Sequence, residues 1–203
     1  MIAIIDYGMG NIHSVRKALQ LSGGRTLVTN KPQEIKSAGK IVLPGVGAFA
    51  DAVSELEKQG LVPAIKEAIK EGKPFLGICL GLQLLFAGSQ EATGSCGLSV
   101  LKGTVKKFQE KKGLKVPHMG WNQLSIKKSG CPLLEGIVDN SYVYFCHSYY
   151  PKNQDKEVAA AVTDYGIEFS SVIWKDNLYG VQFHPEKSQD IGLKMINNFV
   201  ALC

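Results

Sequence analysis

Short apolar runs alternate with amphipathic stretches through the first half of the chain. Residues 1–5 are almost wholly apolar and stop at Asp6. The glycine-rich turn Tyr7-Gly8-Met9-Gly10 follows, and Ile12, Val15 and Leu19 then recur at helical spacing. The unit repeats. Thr26–Thr29 reads as a strand, and 41–43 as a buried strand running into Pro44-Gly45-Val46-Gly47. The stretch 56–69 has helical spacing through Leu61, Ile65 and Ile69, while 75–78 is a further buried strand, ending at Cys79 and followed by the helical run 82–86. Short strands with no polar face belong in a parallel sheet covered by helices on both sides.

From Gly97 to Gly180 the pattern changes to alternation, punctuated by Gly, Pro, Asn and Asp, as in antiparallel hairpins. The strand candidates are 98–108, 123–126, 142–149, 158–162, 168–174 and 178–183. A last helix follows Ser188, a plausible N-cap, with Ile191, Met195 and Phe199 four apart. The pattern predicts an α/β fold. Its sheet is mixed but mostly parallel, with helices on both faces and an antiparallel second half. At 203 residues the chain suits one domain with a single core.

Composition narrows the function classes. Hydrophobic residues make up 45% and charged residues 20%, an ordinary globular balance, and 22 glycines suit many tight turns. The net charge of +5 comes almost entirely from lysine, with arginine only at Arg16 and Arg25. Phosphate and base recognition favour the guanidinium fork, so nucleic acid is not an expected partner. The densest cluster, Lys106, Lys107, Lys111, Lys112 and Lys115, reads as an exposed hairpin tip. The N-terminal apolar run is too short for a signal segment and no stretch reaches the length of a membrane span, so a cytoplasmic protein is expected. Five cysteines without a CxxC pair favour free thiols over a disulfide framework or a zinc knuckle, and no metal or cofactor is implied.

The chemistry gathers around Cys79. Gly77-Ile78-Cys79-Leu80-Gly81 sets a cysteine between glycines at minus two and plus two, after a strand and before a helical run: the layout of a nucleophile elbow. A sharp turn crowds its neighbours, hence the glycines, and the following helix start offers the Leu80 N–H to an oxyanion. A free cysteine is more often a buried small hydrophobe. What favours catalysis is Val181-Gln182-Phe183-His184-Pro185-Glu186, a strand-like run ending in a histidine with a carboxylate two positions on. In extended chain, positions i and i+2 project to one side, so Glu186 can orient one ring nitrogen of His184 while the other meets the sulfur. His13, His118 and His147 lack a following acid; His13 is expected in solvent, and each reads as structural. The paired glycines Gly45 and Gly47 let the intervening peptide rotate, so Val46 or Gly47 could supply a second oxyanion donor. An ordinary glycine turn is the alternative.

Taken together, GICLGLQLLF, PGVGAF and QFHPEKS resemble the class I glutamine amidotransferases, over residues 6–188. Within them, DYGMGN, PGVGAF, VPHMGWN and YFCHSYY resemble the branch that serves histidine biosynthesis. The resemblance implies the class I amidotransferase, flavodoxin-like fold and a glutaminase that frees ammonia from L-glutamine through a thioester on Cys79. His184 would act as base and then acid, and Glu186 as its orienting partner. It implies that Gln83, Ser148 and Tyr149 hold glutamine and that Asn11, Trp121, Tyr144 and Lys187 dock a partner. That partner would be a separate cyclase subunit with a (β/α)8 barrel, forming a heterodimer. Trp121, in a loop rich in Pro, Gly and Asn, reads from its own context equally as an exposed anchor or a core cap, and Ser148 and Tyr149 also as ordinary strand-end residues. Two competing readings are a glutaminase for another synthase and a catalytically silent subunit of the same fold.

Overall fold

Residues 1–110 and 113–203 are described by the computed structural model. Among them, eight strands form one sheet. Its parallel part holds, side by side, β2 (Thr26–Thr29), β1 (Ile2–Ile5), β3 (Lys40–Gly45), β4 (Phe75–Cys79) and β12 (Leu178–Val181). β11 (Glu168–Lys175), β10 (Ala159–Asp164) and β7 (Ser125–Ile126) continue it antiparallel. The mixed, mostly parallel sheet is the expected one.

Period-two alternation divides each parallel strand between two apolar clusters. Ile2, Ile4, Val42, Leu76 and Ile78 meet Val15 and Leu19 of α1 (Ile12–Leu21) and Met195, Ile196 and Phe199 of α6 (Gln189–Ala201). Ile5, Ile41, Leu43 and Phe75 meet Ile35 of α2 (Pro32–Ser37), Phe49, Ala52 and Leu56 of α3 (Phe49–Lys58), and Leu61 and Ile65 of α4 (Leu61–Lys70). Helices therefore cover both faces. The Lys40 ammonium closes the C-terminal end of α6, donating to the carbonyls of Phe199 at 2.9 Å and Val200 at 2.8 Å.

Several element boundaries differ from expectation. The helical stretch 56–69 is two helices, because Gly60 takes φ +67° and ends the first. The run after Cys79 is a single turn, α5 (Leu80–Gln83), rather than a helix through residue 86. Of 98–108 only β5 (Gly103–Lys107) is a strand, and it pairs with β9 (Tyr149–Asn153). Lys106 and Lys107 thus lie across from Tyr150 and Tyr149, not on a hairpin tip. Lys115 is exposed, and Lys111 and Lys112 fall outside the described residues. The candidate 142–149 breaks at Ser148 into β8 (Tyr142–His147) and β9.

β8 pairs with β6 (His118–Gln123), most of which the pattern assigns to a loop; the candidate 123–126 is split between the end of β6 and β7. The inward positions of β6 are His118, Gly120 and Asn122, polar or lacking a side chain, so hydrophobic alternation could not reveal it. Its outward residues Met119 and Trp121 join Tyr142 of β8 on an exposed apolar face.

Candidate active site

Three neighbouring strands of the parallel sheet end at one edge, with β4 in the middle. Gly45 of β3 lies in register with Cys79, and Val181 of β12 lies in register with Ile78. PGVG therefore sits on one side of Cys79 and the segment carrying His184 on the other, at the carboxyl edge where open α/β sheets carry their sites.

Cys79 has φ +53° and ψ −107°, a strained backbone for a residue with a Cβ. The flanking glycines are sterically required. A Cβ on Gly77 would lie 2.8 Å from the Gly81 carbonyl oxygen, and one on Gly81 only 1.8 Å from that of Leu43. Leu80 opens the one-turn α5, so its N–H has no partner within the helix. On the other flank Val46 is 41% exposed, and Gly47 has φ +100°, a conformation that favours glycine. The start of α3 beside this loop is capped from a distance, the Phe49 N–H donating to Glu91 Oε2 at 2.9 Å.

His184 is reached differently from the extended run expected. β12 stops at Val181, the chain bends at Gln182 and Phe183, and Pro185–Lys187 form a 3-10 turn. That turn brings Glu186 Oε1 to 2.9 Å from His184 Nδ1, with both side chains buried. Burial disfavours the imidazolium, but the hydrogen bonds that its ring N–H groups donate to Cys79 and Glu186, together with the charges of those groups, outweigh it, so His184 is raised to about 10. The backbone N–H of His184 donates to the Tyr144 carbonyl at 2.9 Å. Ser188 does not cap α6 through its side chain. Its hydroxyl instead donates to the His184 carbonyl at 2.7 Å and accepts the Tyr144 N–H at 2.9 Å, stitching this turn to β8.

A cavity of about 340 Å³ opens at this edge, within the size range of small-molecule sites. Cys79, Leu80, His184, Val46, Gly47, Gln83, Ser148, Tyr149 and Lys187 all line it, and Glu186 stands behind His184. Gln83 is buried and gives its amide hydrogens to the Tyr149 carbonyl at 3.0 Å and to Gln182 Oε1 at 3.2 Å. Asn11, Trp121 and Tyr144 lie outside the cavity lining. Asn11 caps α1, accepting the Ser14 N–H at 3.3 Å. Trp121 and Tyr144 are cross-strand partners with ring centroids 6.0 Å apart, and the indole is 46% exposed, an exposed residue rather than a core cap.

Some residues of the site escaped the sequence reading. Gln182 is fully buried and its amide stands 3.7 Å from Cys79 Sγ; a polar residue inside the apolar run VQFH was the available signal. Glu91, Pro117, Cys146 and His147 line the cavity, and nothing in their local sequence marks them. Chemically, the arrangement offers a thiol on a strained elbow, an imidazole backed by a carboxylate, and a helix-start N–H at Leu80 with the PGVG turn beside it. That set suits acyl transfer through a covalent thioester.

Residues 3–203 match the family described as Glutamine amidotransferase class-I. The chain is 53% identical over 199 residues to the "Imidazole glycerol phosphate synthase subunit HisH" of Caldanaerobacter subterraneus subsp. tengcongensis, covering 98% of this chain and 97% of that one. It is 50% identical over 202 residues to the protein of the same name from Thermosynechococcus vestitus, covering 99% and 96%. Among solved structures, a glutamine amidotransferase superposes with TM-score 0.75 at 16% identity over 98% of this chain and 99% of that one. PurLQS from Thermotoga maritima gives TM-score 0.74 at 16% identity, over 98% and 96%. At such identities the likeness is one of fold.

Proposed function

The chain belongs to the class I glutamine amidotransferases, and we propose that it is the glutaminase subunit of an imidazole glycerol phosphate synthase, supplying ammonia to a separate cyclase subunit in histidine biosynthesis. The observation that carries the reading at residue level is the convergence of Cys79, the His184–Glu186 pair and the PGVG turn at the ends of three adjacent strands. The reading treats residues 1–203 as one amidotransferase domain.

Cys79 Sγ attacks the side-chain carbonyl carbon of glutamine, the thiolate being the nucleophilic form. Negative charge moves to the carbonyl oxygen, which the N–H of Leu80 and that of Val46 or Gly47 receive. His184, held protonated at neutral pH by its partners, passes its proton to the departing nitrogen. The neutral imidazole then takes a proton from water, which attacks the glutamyl thioester and releases glutamate. Glu186 fixes the ring and its tautomer throughout. Gln83, Ser148 and Tyr149 form the wall that holds the glutamine main-chain groups, Gln83 having both amide hydrogens committed among the described residues and Oε1 left to accept.

Ammonia released into neutral water is protonated and no longer nucleophilic, so it must pass directly to an acceptor site. In the proposed complex the acceptor is a (β/α)8-barrel cyclase that joins ammonia to a phosphorylated ribulosyl aminoimidazole carboxamide ribonucleotide. It yields imidazole glycerol phosphate and an aminoimidazole carboxamide ribonucleotide. The exposed face of β6 and β8, with Trp121 and Tyr144, lies beside the cavity lined by Cys146 and Lys187 and is the docking surface of the heterodimer, to which Asn11 is also assigned. No described helix is long and apolar enough to cross a membrane. The proposed complex is cytoplasmic and takes neither membrane nor nucleic acid as a partner.

The test is to mix the chain with a cyclase subunit and its ribulosyl ribonucleotide and follow glutamate release with each component omitted in turn. Stimulation by cyclase and ribonucleotide together is the expected result. Glutaminase activity indifferent to both would overturn the pathway assignment, and absence of any glutamate production would overturn the glutaminase reading itself.

A further inference from the structure

His118 and His147 face one another across the β6–β8 pair, in direct register. Both are buried, and their rings are 3.2 Å apart from His118 Nδ1 to His147 Nε2. The hydrogen bonds around them run in one direction. Asn122 carries an amide nitrogen 3.3 Å from His118 Nε2, so that ring nitrogen is the acceptor and Nδ1 of His118 bears the proton. His118 Nδ1 then donates to His147 Nε2. His147 Nδ1 in turn donates to the Tyr149 carbonyl at 2.7 Å. That carbonyl also accepts from Gln83 Nε2, whose second hydrogen goes to Gln182, whose own amide reaches Cys79 Sγ. Every donor in the series meets an acceptor, and both imidazoles are used in their neutral form. Burial favours that form, lowering His118 to about 4 and His147 to about 3.

The surroundings fix the pair in place. His118 stacks between Phe145 and Tyr165, at 4.6 and 3.9 Å between centroids, and His147 lies against Phe108 and Phe169. Hydrophobic rings alone would fill this space without the cost of burying four ring nitrogens. Imidazoles are needed only if something must be held by their hydrogen bonds, and what is held is the Tyr149 carbonyl on the cavity wall.

We propose that His118 and His147 are positioning residues of the glutaminase site: a directional imidazole pair that holds the Tyr149 carbonyl, and through it Gln83, and so ties the glutamine wall to strand β6. The inference rests on the reading of this cavity as the glutamine site. It makes β6 a two-sided element. Its outward residues Met119 and Trp121 meet the partner, while its inward residues His118 and Asn122 set the wall. A shift of β6 on docking thereby alters how Gln83 presents Oε1 to an N–H donor of the substrate.

Two conservative variants separate positioning from packing. His147→Asn keeps an amide N–H close to the Nδ1 position and so retains the bond to Tyr149. His147→Gln carries its amide further out, toward His118, and loses that bond. In the complex with cyclase and ribonucleotide, KM for glutamine is expected to stay within about threefold of wild type for Asn and to rise about tenfold or more for Gln, with kcat changing less than KM. His118→Phe should raise KM by itself but add little to His147→Gln, because the two act in series. Equal KM values for Asn and Gln, or fully additive effects of His118→Phe and His147→Gln, would overturn the proposal. A wild-type complex with no glutaminase activity would instead count against the underlying reading of the site.

Discussion

His184 Nδ1 and Glu186 Oε1 are 2.9 Å apart in a setting that leaves the carboxylate almost no solvent, and its second oxygen, Oε2, is buried without a hydrogen-bond partner among the described residues. A buried carboxylate with one oxygen engaged depends on its imidazolium neighbour for compensation. Glu186→Gln removes that compensation from the histidine side: the ring loses its anionic partner, and an amide donor competes for the tautomer. Steady-state glutamate production by the complex is expected to fall at least about tenfold, mainly in kcat, because imidazolium stabilisation is needed in the transition state. An unchanged kcat would remove Glu186 from the proposed triad.

Gly81 makes a separate, structural prediction. Its missing Cβ is what lets the elbow pack on β3, since a methyl there would sit 1.8 Å from the Leu43 carbonyl oxygen, an atom of the backbone that cannot rotate away. Gly81→Ala should therefore force β3 and β4 apart at the edge that carries PGVG and Cys79. Overpacking of this kind costs about 1–3 kcal/mol or more, and urea unfolding should show the midpoint displaced accordingly. A midpoint equal to wild type would mean that the elbow relaxes freely.

The parallel half of the fold was legible because both faces of each strand are buried, and unbroken apolar runs announce that burial. Cys79 and the HPE string were legible because each chemical residue comes with a local companion, the glycines in one case and the acid in the other. The antiparallel half was read less well. β6 turns polar residues inward toward the aromatic cluster, which inverts the usual alternation, and Gly60 divides a helix at a position where periodicity continues undisturbed. Glu91 and His147 come to the cavity by tertiary packing alone, whereas Gln182, which reaches the Cys79 sulfur, left a trace as the polar residue in an apolar run. The same is true of the Glu186 contact, which arises from a 3-10 turn and not from the extended chain that its spacing suggested.

Stability should depend on pH in two opposite limbs that meet near the ordinary histidine value of 6.5. His118 and His147 are lowered to about 4 and about 3, so between 6.5 and those values the unfolded chain binds more protons and stability falls as pH falls. His184 is raised to about 10; its contribution is fully present below 6.5 and is lost as pH rises toward 10. Each histidine contributes a slope of about 1.4 kcal/mol per pH unit within its window. Urea midpoints measured from pH 4.5 to 9 should peak near 6.5, and His118→Phe should flatten the acid limb. A wild-type acid limb with no slope between pH 6.5 and 4.5 would contradict the buried neutral pair.

Trp121 distinguishes docking from folding. It is 46% exposed and, among the described residues, its one aromatic ring contact is the T-shaped one with Tyr144, so truncation removes little buried surface from the isolated chain. Trp121→Ala should shift the urea midpoint by less than about 0.5–1 kcal/mol equivalent, within the range of surface substitutions. The same indole, set among Met119, Tyr142 and Tyr144 on the outward face of β6 and β8, has the character of an interface anchor, and such anchors cost about 2 kcal/mol or more when removed. Affinity for the cyclase subunit, read by calorimetric titration, should therefore weaken by about thirtyfold or more while the free chain folds normally. Because β6 also carries His118 and Asn122, the complex formed by the variant at saturating cyclase should show a raised KM for glutamine as well. Weakened affinity with a wild-type KM would confine Trp121 to docking and separate the outward face of the strand from the inward one.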